Sequence, residues 1–97
     1  MDKRYTPLTL EQQMDAREKL YDVIQSTPGL SFAQTLQLIR EHLRLTYAEL
    51  AKATGVSERF LRASEAGAGN PSLATANKVL QPFGLALGTV YRPRQLK

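Results

Sequence analysis

Apolar residues recur at three- and four-residue spacings through most of this 97-residue chain, and each such stretch opens on a hydroxyl side chain. Thr9 with Gln12 forms the first capping signature, in which the hydroxyl accepts from a backbone N–H and the Gln reaches back to the cap. The spacing predicts a helix over 10–25, with Leu10, Met14, Leu20, Tyr21 and Ile24 on an inward stripe and Glu11, Asp15, Glu18 and Asp22 on the opposite face. Thr27, Pro28 and Gly29 end it. Ser31 with Gln34 opens a second helix, which places Phe32, Leu36, Ile39 and Leu43 on one face and runs to residue 43 or 44.

Thr46 with Glu49 opens a short third helix to residue 54, where Gly55 breaks it. Ser57 caps a fourth, which runs to about residue 66 before Gly67 and Gly69 impose a loop. Ser72 caps a fifth, with Leu73, Ala76, Val79 and Leu80 expected to face inward. Pro82, which lacks an N–H and clashes with the preceding turn, and Gly84 stop it. Residues 85–91, LALGTVY, read as a short strand because Thr, Val and Tyr favour a pleated surface. A lone strand leaves its backbone groups unpaired, so the expected partner is the same strand of a second subunit across a two-fold axis, through Leu85, Leu87, Thr89, Val90 and Tyr91.

The third and fourth helices meet the requirements of a helix-turn-helix: two short helices, a tight turn, and an outward second helix able to reach base edges. Ala48, Leu50, Ala51, Val56 and Leu61 supply the small apolar set that locks the pair, and Gly55 supplies the left-handed backbone of the turn. The unit spans residues 46–67, TYAELAKATGVSERFLRASEAG.

Charge reinforces this placement. The net charge of +4 divides into −1 over residues 1–30, with four basic and five acidic residues, and +5 over residues 31–97, with nine basic and four acidic. The positive charge falls where the helix-turn-helix falls, and suits a polyanionic partner. The length fits one small domain, for which burial against a second identical subunit is a ready source of stability.

The absence of cysteine excludes disulfides, thiolate metal sites and cysteine nucleophiles. No apolar run approaches the span of a bilayer, and the first residues lack the apolar stretch of a signal peptide, so a cytoplasmic, nucleoid-associated protein without membrane contact is expected. His42 is the sole histidine and has no ligand set beside it, so neither a metal nor another cofactor is expected. Ser, Asp and His occur without a strained nucleophile turn, and Gly67 to Gly69 follow a helix where a phosphate loop follows a strand, so enzymatic chemistry is not expected.

Residues 36–85 resemble the Cro/C1-type (Xre family) helix-turn-helix domain. The likeness is carried by Arg40, Leu45-Thr46, AELA at 48–51, GVS at 55–57, Leu61, Glu65, Gly67, NPSL at 70–73, Thr75 and Phe83-Gly84. With the periodicity above it implies an all-α, five-helix, lambda-repressor-like fold, divided into an N-terminal amphipathic helix extension at 1–30, the helix-turn-helix domain at 31–84, and the dimerisation strand and basic tail at 85–97. It also implies that Arg40 pairs with Glu65 to tie the second helix to the end of the recognition helix. Where members often carry Gln, this chain has Tyr47; Glu58 opens the recognition helix, Ser64 stands for a large apolar residue, and Ala66 for a frequent Arg.

On this reading Ser57, Arg59 and Arg62 contact base edges in the major groove, where bidentate Arg to guanine is the commonest specific contact. Thr46, Tyr47, Lys52 and Asn70 position the phosphate backbone, aided by N–H groups at helix starts. The tail LALGTVYRP resembles that of HipB-type antitoxins, which implies a homodimeric repressor of its own operon that binds double-stranded operator DNA and a cognate toxin, a HipA-type kinase ahead of other toxins. A free-standing phage-type or host regulator without a toxin, and a protein-binding module with weakened DNA affinity, stay open beside it.

Overall fold

A computed structural model describes residues 8–89. Five helices follow in order: α1 Leu10–Ser26, α2 Phe32–Leu43, α3 Tyr47–Thr54, α4 Glu58–Glu65 and α5 Leu73–Leu80, the last running into a 3₁₀ turn at Gln81–Phe83. Each helix begins where local chemistry sets it. Thr9, Ser31 and Thr46 form complete capping boxes with Gln12, Gln34 and Glu49, while Ser57 and Ser72 accept from the N–H groups of Phe60 and Thr75. These caps satisfy donors that a helix start otherwise leaves unpaired.

The core is built from one to three residues of every helix. Leu20 of α1, Leu36 and Ile39 of α2, Leu50 of α3, Leu61 of α4, Ala76, Val79 and Leu80 of α5, and Phe83 of the 3₁₀ turn are all buried. α1 packs on α2, α2 on α4, and α3 on both α4 and α5. α4 therefore lies against α2 and α3 by one face, with Leu61 and Ser64 buried.

Three expectations are corrected. Leu10 and Met14 lie on the apolar stripe of α1 yet are 74% and 64% exposed, because only the C-terminal half of the helix meets the core, through Leu20 and Ile24. Leu73 is 62% exposed, since the first residue of α5 precedes the turn that reaches the core at Ala76. Residues 85–89 form no strand; among the described residues there is none. Leu85 and Leu87 turn alternate side chains onto the chain's own core instead. The Leu85 N–H donates to the Leu80 carbonyl at 3.2 Å and the Leu87 N–H to Asn77 Oδ1 at 2.8 Å, so two backbone donors find partners within the subunit. Thr89 is exposed, and Val90 and Tyr91 lie outside the described residues.

The C-terminal turn is held to α1. Tyr21 Oη donates to the Phe83 carbonyl at 2.8 Å, and the Arg17 guanidinium donates to the Pro82 carbonyl at 3.3 Å. Gly84 follows with φ of 72°, and a Cβ there would come within 3.3 Å of Tyr21 Oη. α1 is thus joined both to α2, on which it packs, and to the turn that follows α5.

Candidate nucleic-acid interface

The turn between α3 and α4 is made by Gly55, Val56 and Ser57. Gly55 adopts φ of 77°, a left-handed conformation that favours glycine, and its N–H closes α3 on the Ala51 carbonyl at 2.8 Å. Val56 and Ala51 pack against the core from either side of the turn. Ser57 then caps α4, its Oγ accepting from the Phe60 N–H at 3.0 Å. That bond uses an acceptor site of the hydroxyl, whose proton is left to donate outward.

α4 turns Leu61 and Ser64 inward and Glu58, Arg59 and Arg62 outward, with its cap Ser57 exposed beside them. Arg59 is exposed and enters no hydrogen bond or ion pair among the described residues. Arg62 is held on two sides: its guanidinium lies 3.5 Å from Glu58 Oε1 and 4.3 Å from the centroid of the Tyr47 ring. The outward face thus presents one unengaged Arg and one restrained Arg, one turn apart.

Of the residues expected at phosphates, Lys52 and Asn70 are exposed, whereas Thr46 and Tyr47 are half-buried and committed locally. Thr46 Oγ1 accepts from the Glu49 N–H and donates to Glu49 Oε1, both at 3.1 Å. Tyr47 carries two guanidinium groups on its ring, those of Arg40 and Arg62, each 4.3 Å from the centroid. The Glu65 carboxylate acts on its hydroxyl. Burial, with that carboxylate, pushes the Tyr47 phenol above its ordinary value of 10.0, against the opposing influence of the two arginines.

Arg40 and Glu65 join as the resemblance implied. Arg40 Nε donates to Glu65 Oε2 at 2.8 Å and Nη2 to Oε1 at 2.6 Å, a fork-to-fork pair with little solvent access. These bonds hold the Glu65 carboxyl below its ordinary value of 4.5, against an opposing push from burial. The pair joins α2 to the end of α4, and the Tyr47 ring at the start of α3 lies against the same arginine. Three helices therefore meet in one polar cluster behind the recognition face.

The ring contacts of Tyr47 are absent from the sequence reading. Tyr47, Arg40 and Arg62 are visible singly, but no local spacing links a residue at the start of α3 to α2 on one side and α4 on the other. Only the departure from Gln at this position marked it.

A capped helix, a glycine turn and a second helix with a basic outward face, all seated on a shared core, define a helix-turn-helix DNA reader. Residues 36–90, more than half of the chain, match the family model described as Helix-turn-helix. The chain belongs to this Cro/C1-type helix-turn-helix family and is a DNA-binding transcriptional regulator. No curated protein and no solved structure matches it. Among the described residues no helix is long and apolar enough to cross a membrane.

Proposed function

We propose that the chain is a sequence-specific repressor that lays α4 in the major groove of operator DNA and acts as a homodimer. The observation that carries this reading is the outward face of α4, where Ser57, Arg59 and Arg62 project from a helix fixed by Leu61 beneath and by the Arg40 and Glu65 pair at its end. In this arrangement Arg59 and Arg62 read guanine edges, and Lys52 and Asn70 position the phosphates. Two copies related by a two-fold axis address half-sites about 34 to 36 Å apart.

Footprinting on the DNA upstream of its gene tests the docking directly. Wild type protects a two-fold site there, and Arg59→Ala and Arg62→Ala weaken protection. A footprint unchanged by both substitutions sinks the assignment. Sedimentation at micromolar concentration tests the dimer; a monomer both free and on DNA rejects it.

The finer reading is that this repressor controls its own operon as the antitoxin of a toxin pair, with a HipA-type kinase as the toxin. Its support is the likeness of LALGTVYRP to HipB-type tails, together with the uncovered Leu10 and Met14 on α1, a face that DNA docking through α4 does not use. Co-expression with the product of the adjacent gene separates the alternatives. Neutralised toxicity and a stable complex support the antitoxin; operator binding with neither leaves a free-standing regulator. A protein-binding module is the outcome if the upstream DNA shows no salt-sensitive binding.

A further inference from the structure

Tyr47 occupies a phosphate-side position by sequence, yet its ring is engaged by Arg40 and Arg62, each 4.3 Å from the centroid. We propose that Tyr47 is a specificity-determining positioning residue, which holds the guanidinium of Arg62 for a base in the major groove. The inference rests on the docking of α4 proposed above.

Three observations carry it. An arginine that rests against an aromatic ring by its face keeps its in-plane N–H groups available, and those are the donors that bind guanine in bidentate fashion. Glu58 Oε1, 3.5 Å from Arg62 Nη2, restrains the same group from the start of α4. Tyr47 is itself anchored: Arg40 lies on its ring, and Arg40 is locked to Glu65 through two hydrogen bonds.

The charge pattern is consistent with this assignment. Two guanidinium groups on one ring repel, but each has a carboxylate partner, Glu65 for Arg40 and Glu58 for Arg62. The Glu65 pair is largely withdrawn from solvent, whereas Arg62 and Glu58 are 61% and 47% exposed. Arg40 therefore serves as the fixed side of the cluster and Arg62 as the side free to engage DNA. A long arginine ordered before binding loses less rotamer freedom on contact, which concentrates the benefit on the matched base.

The test uses an operator selected from random duplexes by the wild-type protein, and variants of it changed at each base pair in turn. Tyr47→Phe, which keeps the ring and removes the hydroxyl, retains discrimination at the step read by Arg62. Tyr47→Leu lowers discrimination there by about 3- to 30-fold, the span of a cation–π contact from exposed to desolvated settings. In an Arg62→Ala background Tyr47→Leu causes no further loss at that step. Thermal unfolding and circular dichroism confirm that each variant is folded, and the Arg62 Nε–H resonance of the free protein moves in Tyr47→Leu but not in Tyr47→Phe. Selective binding with discrimination unchanged in Tyr47→Leu, or the same loss in the Arg62→Ala background, overturns the role given to Tyr47 while leaving α4 as the reading helix. Absence of selective binding by wild type overturns both.

Discussion

Arg40 and Glu65 lie 25 residues apart and meet through paired hydrogen bonds of 2.8 and 2.6 Å. The pair fixes the end of the recognition helix to α2, and it is shielded enough that breaking it leaves a stranded charge. Arg40→Met is expected to lower stability by about 2 kcal/mol, between the values for exposed and fully buried pairs. Urea unfolding of Arg40→Met and of Arg40→Met with Glu65→Gln checks this: the double variant should recover part of the loss, because the orphaned carboxylate is gone.

The same pair sets an acid limb of stability. The folded value of Glu65 lies below its ordinary 4.5 because Arg40 donates to the carboxylate. Its contribution is therefore fully present above pH 4.5 and is lost as pH falls through the folded value. Thermal midpoints measured from pH 6 down to pH 3 should fall more steeply for wild type than for Glu65→Gln. Parallel curves would remove Glu65 as the source.

α1 belongs to the core through one side chain above all. Leu20 is fully buried, so Leu20→Ala should cost about 2–5 kcal/mol. Leu10→Ala and Met14→Ala, on the uncovered half of the same stripe, should stay within about 0.5 kcal/mol of wild type. A large loss at Leu10 or Met14, measured by denaturant unfolding, would place that surface in an interface of the free protein.

Two left-handed positions make opposite predictions. Arg44 caps α2 with φ of 54°, a conformation that strains a side chain, so Arg44→Gly should raise stability by up to about 1 kcal/mol. Gly84→Ala meets both a φ of 72° and the Tyr21 hydroxyl, and should lower stability by about 1–2 kcal/mol. Thermal unfolding of both variants checks the pair.

DNA binding divides contacts by kind. Arg59→Ala should cost about 1–3 kcal/mol at one base step and relax preference there. Lys52→Ala should weaken all duplexes alike and reduce the slope of log affinity against log salt by about 1. Titrations at several salt concentrations on matched and mismatched duplexes separate the two, and a uniform loss for Arg59→Ala would move that residue to the backbone.

Local chemistry made most of the helices legible. Thr9, Ser31, Thr46, Ser57 and Ser72 each bond three residues onward, so the signal and its partner lie within one short window of sequence. Periodicity named the inward faces of α1 and α5 but placed Leu10, Met14 and Leu73 on them as well. A repeat of three or four reports which face is apolar, and carries nothing about how far the packing partner extends along it.

The strand expected at 85–91 shows the same limit from the other side. The pleat preference of Thr, Val and Tyr named a strand, but residue preference does not choose a hydrogen-bond partner, and Leu85 and Leu87 pack on the chain's own core. Asn77 and the end of α5 supply two acceptors nearby.

What the sequence determined by itself was the order of five helices, their starts and stops, and the helix-turn-helix at their centre, because caps, glycine turns and apolar repeats act within a few residues. The tertiary structure alone decided that Tyr47 faces inward between α2 and α4 and that Arg62 rests on its ring. Those contacts depend on the relative placement of three helices, which is set by packing around Leu36, Leu50 and Leu61 and has no local signature.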